Sequence, residues 1–186
     1  MTTAIVLAAG SASRFGSQKL LAPIAGTPML DRVLAAVAHL PTVVVAAPDL
    51  RAAIANRPDL RIVENANPER GMTHSLRLAD LAIDARSAIL VVLADMPWVT
   101  RAIVDAVIAA SATSDICYPE RDGIGGHPVF FSPNARAKIA ALPDGDAIRT
   151  LRDDRALDRR TIQLDDDGAY RDVDTQRDVE RGDHPR

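Results

Sequence analysis

Short aliphatic runs, separated by polar and proline- or glycine-containing breaks, alternate with segments of helical periodicity along the whole chain. The run from Ala4 to Ala9 ends at Gly10 and predicts a fully buried strand over residues 4–7. Residues 29–39 follow as a helix, with Leu30, Val33, Leu34 and Val37 on one face. Val43, Val44 and Val45, bounded by Pro41 and Pro48, predict the next strand. A short helix over 50–56 leads to a strand over 60–63, and a helix from Gly71 runs to about residue 83. Residues 88–94 are continuously aliphatic, which predicts a central strand, ending at Asp95-Met96-Pro97. Thr100 N-caps a helix over 102–110.

The pattern continues to the last residues. Strands are expected over 115–118 and 129–131, separated by a glycine-rich turn over 123–128. Pro133 and Asn134 open a helix to about residue 142, and 146–151 form a short one. Two short strands, 161–164 and 170–173, flank the turn Asp165-Asp166-Asp167-Gly168, and a last helix starts near Thr175. Strand–helix alternation of this kind predicts an α/β fold with a mostly parallel sheet and right-handed crossovers. No linker interrupts it, so residues 1–186 read as one domain.

Composition narrows the functional classes. Apolar residues make up 47% of the chain but aromatics only 3%, which suits sheets and helices packed through aliphatic side chains. The net charge of −3 gives no basic field for nucleic acid. A single cysteine, Cys117, excludes an internal disulfide framework and reads as a buried apolar filler in a cytoplasmic protein. No apolar stretch is long enough to span a membrane, and no basic segment precedes the first apolar run, so neither a membrane anchor nor a leader is expected.

The stretch that organises the chain is 4–21. A buried strand feeds Gly10 and the small residues Ser11, Ala12 and Ser13, followed by Arg14, Gly16 and Lys19. Small residues allow close backbone approach and let N–H groups converge on an anion, and the two cations add charge. This is a phosphate cradle in physical terms. It is neither a Walker A loop nor a dinucleotide fingerprint, because the glycine spacings differ from both.

The full motif, Leu7-Ala8-Ala9-Gly10-x-x-x-Arg14-x-Gly16-x-x-Lys19-Leu20-Leu21, resembles the signature of the nucleotidyltransferases that build the dinucleotide form of the molybdenum cofactor. The resemblance extends to Leu93-Ala94-Asp95-Met96-Pro97, similar to that family's Mg²⁺-binding segment, and to Asp172-Val173-Asp174-Thr175, where the family usually has proline at the position of Gln176. It implies a three-layer α/β/α Rossmann-like nucleotidyltransferase fold of GT-A type. It further implies that Leu7, Ala8, Ala9, Gly10, Ser11, Arg14, Lys19, Gly71, Ser75 and Asp95 hold the nucleotide. Asp95 and Asp174 would hold Mg²⁺, with Asp172 as the second choice to Asp174, and Arg14, Lys19 and Asp95 would carry catalysis. Alternate spacing in a strand puts the Asp172 and Asp174 carboxylates on one face. Asp95 is independently placed for this, since ligands of open α/β sheets sit beyond the carboxyl ends of the strands.

On the acceptor side, Gly125-Gly126-His127-Pro128 resembles the Gly-His-Pro segment of the molybdopterin-specific branch, which implies an orienting role for His127. Gly145-Asp146-Ala147-Ile148-Arg149 resembles the family's Gly-Asp-x-Gly-Ala-Arg with its second glycine missing, and points to Asp146 and Arg149. Members that use CTP usually carry Leu-Ala-Ala-Gly, as here, so Ala9 favours CTP over GTP. The expected activity is transfer of CMP from CTP to the phosphate of a molybdopterin-type acceptor, with pyrophosphate as the leaving group and an apo-molybdoenzyme as recipient of the product. A CTP- or GTP-dependent transferase with another phosphate acceptor, such as methylerythritol phosphate or a sugar phosphate, and a non-catalytic molybdopterin carrier are the competing expectations.

Overall fold

The computed structural model describes residues 1–10, 19–145 and 147–181. In chain order the elements are β1 (Thr2–Ala8), β2 (Pro23–Ile24), β3 (Thr27–Pro28), α1 (Met29–Val37), β4 (Thr42–Ala46), α2 (Pro48–Ala53), β5 (Arg61–Glu64), α3 (Met72–Asp80) and β6 (Ala88–Leu93). There follow α4 (Arg101–Ala110), β7 (Ile116–Arg121), β8 (Ile124–Gly125), β9 (Val129–Phe131), α5 (Pro133–Ala137), α6 (Ala147–Arg152), β10 (Arg159–Ile162) and α7 (Gln176–Arg181).

Among the described residues, eight strands form one sheet in the order β10-β7-β9-β6-β1-β4-β5, with β8 added against β7. β1 pairs in parallel with β4 and β6, β4 with β5, and β7 with β10. β9 runs antiparallel between β6 and β7. Residues 88–93 of the aliphatic run therefore form the central strand its composition predicts, a mostly parallel sheet surrounds it, and a small β2–β3 hairpin lies apart.

Strand periodicity sorts the core into two layers. On β1, Ala4, Val6 and Ala8 face a cluster with Leu30, Val33 and Val37 of α1 and Ile103, Val104 and Val107 of α4. Ile5 faces the other way, toward Leu76 and Ala79 of α3 and Ile148 and Leu151 of α6. The same alternation separates Leu90 and Val92 from Ile89 and Val91 on β6. Helices thus cover both faces, the arrangement that buries every side chain of a central parallel strand. Cys117 is buried in the first cluster. None of the described helices is long and apolar enough to cross a membrane.

Two local predictions differ from the structure. Residues 170–173 are not a strand: the segment is irregular and finds no sheet partner. It is fixed instead by Val173, 0% exposed, which packs with Ile24, Met29 and Trp98 in a third small core. The Asp165–Gly168 turn is also not a hairpin. Asp167–Ala169 form a 3-10 turn whose Gly168 N–H donates to the Asp166 carboxylate. Gly168 lies so close to the Trp98 carbonyl that a Cβ would stand 2.1 Å from that oxygen.

Candidate active site

Parallel pairing in register builds the site. β1 and β6 pair residue for residue from Thr2↔Ala88 to Leu7↔Leu93, so both strands end at the same level. The Ala94 N–H donates to the Leu7 carbonyl at 3.0 Å, and the chain after each strand then leaves the same edge of the sheet. Ala9 and Gly10 follow one strand and Asp95 the other. Connections diverge here as well. After β1 the chain passes through α1 to β4 on one side, and after β5 it returns through α3 to β6 on the other. This is the switch point at which open α/β sheets take ligands.

A cleft of about 370 Å³ opens at that edge. Leu7, Ala8, Ala9 and Gly10 line one wall, Gly71, Met72 and Ser75 another, and Lys19, Asp95 and Asp174 lie in it together. Of the nucleotide and metal candidates among the described residues, all but Asp172 thus lie in one cleft. Ser11 and Arg14 lie outside the described residues.

The charged end of the cleft is a three-residue arrangement. Lys19 is only 9% exposed, and its ammonium stands 3.6 Å from Asp95 Oδ2 and 4.0 Å from Asp174 Oδ1. Burial pushes the Asp95 carboxyl above its ordinary range; the Lys19 charge opposes the shift, while Asp172 and Asp174 reinforce it. Asp174 reaches the site because the Val173 N–H donates to the Asp95 carbonyl at 2.8 Å, which lays the C-terminal segment along the end of β6. The expected shared face of Asp172 and Asp174 does not form, since the segment is not a strand. Asp172 lines a separate cavity with Trp98, Arg121 and Tyr170.

The donor set suits a hard divalent cation. Two carboxylates meet around a cation already in place, and among the described residues no third His, Cys, Asp or Glu completes a protein-only metal cage. Mg²⁺ or Mn²⁺ in such a site takes its remaining ligands from water and phosphate oxygens. Asp95 and Asp174 are the residues that could hold it.

The wall carrying Ser75 rests on a residue that sequence reasoning missed. Asn65, 0% exposed, follows β5 and donates its amide to Ser75 Oγ at 2.9 Å. Its own carbonyl accepts from the Asn67 N–H at 2.9 Å, and its N–H donates to the Ala46 carbonyl at 2.8 Å. Because Ser75 Oγ accepts from Asn65, its own proton stays available to donate, and Ser75 lines the cleft. The signal was present: a polar Asn-Ala-Asn-Pro segment directly after a strand end. Thr73, in contrast, turns away. Its N–H and hydroxyl both donate to the Gly145 carbonyl, at 2.9 and 3.0 Å. Gly71 (φ +83) enables that contact, since a Cβ there would meet the Gly145 carbonyl oxygen at 3.1 Å.

The acceptor candidates occupy a neighbouring cavity of about 420 Å³, which meets the first at Met72. His127, Arg149, Arg152 and Arg159 line it, with Tyr118 and Glu120. Asp146 lies outside the described residues. The Arg152 guanidinium stacks on the Tyr118 ring, 4.0 Å from its centroid, and donates to the Gly126 carbonyl at 2.7 Å. The two glycines before His127 are positions of close approach. A Cβ on Gly125 would lie 2.5 Å from the Arg152 guanidinium, and one on Gly126 would lie 2.3 Å from the Ala169 carbonyl oxygen. Burial lowers the His127 pKa to about 3, with the Arg152 charge acting in the same sense and a hydrogen bond with the Val91 backbone opposing. The ring is therefore neutral near pH 7, and its buried Nδ1 has no hydrogen-bond partner among the described residues.

Comparison with known proteins places this geometry. The family model of the MobA-like NTP transferase domain matches residues 4–161. Among solved structures, a homologue of Mycobacterium tuberculosis Rv0371c from Mycobacterium sp. strain JC1 is 28% identical, with a TM-score of 0.81 over 97% of this chain and 93% of its own. Rv0371c from M. tuberculosis H37Rv is 26% identical, with a TM-score of 0.84 over 97% of this chain and 95% of its own. It has also been solved in complex with manganese, where the match is 24% identical with a TM-score of 0.79 over 97% and 96%. Molybdopterin-guanine dinucleotide biosynthesis protein A from Archaeoglobus fulgidus shares the fold at 17% identity, with a TM-score of 0.72 over 97% of this chain and 96% of its own. No curated protein matches the sequence.

Proposed function

The chain belongs to the MobA-like NTP transferase domain family, and from that membership we infer that it transfers CMP from CTP to the phosphate of a molybdopterin-type acceptor. The observation that carries the reading is the convergence of Lys19, Asp95 and Asp174 at the ends of β1 and β6, beside the small-residue wall Ala8-Ala9-Gly10. An acceptor phosphate oxygen attacks the α-phosphorus of CTP. A new P–O–P bond forms as the bond to the β-phosphate breaks, and pyrophosphate leaves.

A phosphate monoester is already anionic near neutral pH, so the residues have little general-base work to do. Their contribution is positioning and charge neutralisation. Gly10 lets the backbone approach the triphosphate, and the Ser75 hydroxyl, oriented by Asn65, donates to the nucleotide. Lys19 neutralises charge on the phosphates, and the sequence gives Arg14 the same role. Asp95 and Asp174 hold Mg²⁺, whose chemistry is to draw charge from the phosphate oxygens. The manganese complex of Rv0371c supports a divalent cation in this fold.

The acceptor occupies the cavity of Arg149, Arg152 and Arg159, where three guanidiniums suit an anionic group. The neutral His127 would orient it through a hydrogen bond rather than by charge. Ala9, buried in the cleft wall, narrows the base pocket and favours a pyrimidine. Calorimetry with CTP and GTP in Mg²⁺ tests the nucleotide assignment. CTP should bind at least tenfold more tightly, and Ala9→Gly should shrink the difference. Tighter binding of GTP would overturn it.

A further inference from the structure

The placement of Lys19 has a consequence for how a metal enters the site. The two carboxylates read above as metal ligands are the two that face the Lys19 ammonium, at 3.6 Å from Asp95 Oδ2 and 4.0 Å from Asp174 Oδ1. A divalent ion coordinates carboxylate oxygens at about 2.1 Å, and in that position it would face the ammonium at close range. Three positive charges, one on the ammonium and two on the ion, cannot all be neutralised by two carboxylates, and repulsion between the cations is screened least beside Lys19 and Asp95, whose side chains are 10% and 35% exposed.

Lys19 is also held in place. It begins a single 3-10 turn, Lys19–Leu21, is 9% exposed, and is followed by Leu20, which packs on the two cores that flank the site. In the free protein the ammonium therefore offsets the negative charge of Asp95, whose side chain is 35% exposed, and of the more exposed Asp174, at 68%. A triphosphate changes the balance, because its oxygens offer the ammonium a second set of anionic partners in the same cleft.

We infer that Lys19 acts as a resident counter-ion that keeps divalent metal out of the Asp95–Asp174 pair until a triphosphate draws its ammonium away. Metal binding and nucleotide binding are then coupled through one side chain, and free metal does not occupy the empty enzyme at low concentration. This rests on the assignment of Asp95 and Asp174 as the metal pair.

Binding of Mn²⁺ alone, followed by the electron paramagnetic resonance of free Mn²⁺, tests the inference without any turnover. Lys19→Met should bind Mn²⁺ at least tenfold more tightly than the wild type, and Lys19→Arg, which keeps the charge, should bind it as weakly as the wild type. Adding Asp95→Asn to Lys19→Met should abolish the gain. Lys19→Gln gives the same comparison where Lys19→Met fails to fold, as judged by circular dichroism. Equal Mn²⁺ affinity in the wild type and the neutral variants would overturn the counter-ion role and leave the metal site standing. Absence of Mn²⁺ binding in every variant up to millimolar concentration would overturn the metal assignment and the inference together.

Discussion

The Val173 N–H donates to the Asp95 carbonyl across 2.8 Å, and this single backbone bond joins the C-terminal segment to the end of the central strand. Val173 is 0% exposed among Ile24, Met29 and Trp98. Packing and hydrogen bonding together therefore set the distance between the Asp95 carboxylate and that of Asp174. Val173→Ala removes two buried methyl groups and should cost about 2 kcal/mol of stability. Urea denaturation measures that loss. Mn²⁺ affinity should fall at least threefold in the folded variant; unchanged affinity would mean that Asp174 does not contribute to the metal site.

Gly10 separates stability from binding. A Cβ there would meet nothing within 4 Å among the described residues. Gly10→Ala should shift the free energy of unfolding by less than about 1 kcal/mol, the ordinary cost or gain of such a change in an unstrained loop. CTP binding should nonetheless weaken at least tenfold, because the methyl group stands where the phosphates need the backbone. Equal CTP affinity in calorimetry would show that the triphosphate lies elsewhere.

Gly126 behaves in the opposite way. Its Cβ would stand 2.3 Å from the Ala169 carbonyl oxygen and 2.9 Å from the Tyr170 ring. It would also disturb the 2.8 Å bond from the His127 N–H to the same carbonyl. Gly126→Ala should destabilise by about 2 kcal/mol or more, in the range of other overpacking changes, and should perturb the segment that leads to Val173. Thermal unfolding within 1 °C of the wild type would contradict this packing.

His127 gives the fold a pH dependence whose sign is fixed by burial. The imidazole is neutral in the folded protein down to about pH 3, whereas in the unfolded chain it takes up a proton below about 6.5. Its contribution to stability is complete above pH 6.5 and is lost as pH falls through that window, by up to about 1.4 kcal/mol per pH unit. The stability difference between the wild type and His127→Asn, followed by urea denaturation from pH 7.5 to 4.5, should move in favour of the variant as pH falls. A constant difference would show that the imidazole titrates normally.

The sequence carried the sheet because aliphatic runs bounded by Pro and Gly have few other places to go. Residues 4–7, 43–45 and 88–93 all lie in strands, the last ending one residue before the expected 94, and its central place follows from its burial on both faces. Lys19, Asp95 and Asp174 were legible as candidates from their motifs; parallel register ends β1 and β6 at one level, and the bond from the Val173 N–H to the Asp95 carbonyl brings Asp174 to them. Contacts made by partners far along the chain were not legible. Alternate acidic residues at 172 and 174 suggested a strand face, but nothing local reveals that Val173 inserts beside Trp98 instead. Gly168 reads as a turn former, and only the fold shows that it sits under the Trp98 carbonyl. Asn65 was overlooked for the same reason: its partner Ser75 lies on the next helix, and its value comes from orienting that hydroxyl. Asn65→Ala should cost about 1–3 kcal/mol, as expected when buried polar partners are left unsatisfied, and should weaken CTP binding by at least threefold in calorimetry.

Release of pyrophosphate, measured with CTP or GTP in Mg²⁺ and in the presence of molybdopterin or its molybdenum form, addresses the assigned chemistry most directly. Release with CTP that requires the acceptor and is lost in Asp95→Ala is the predicted result. Release with GTP alone would contradict the role given to Ala9, and no release with either nucleotide, from a folded protein that binds molybdopterin, would contradict the transferase assignment itself.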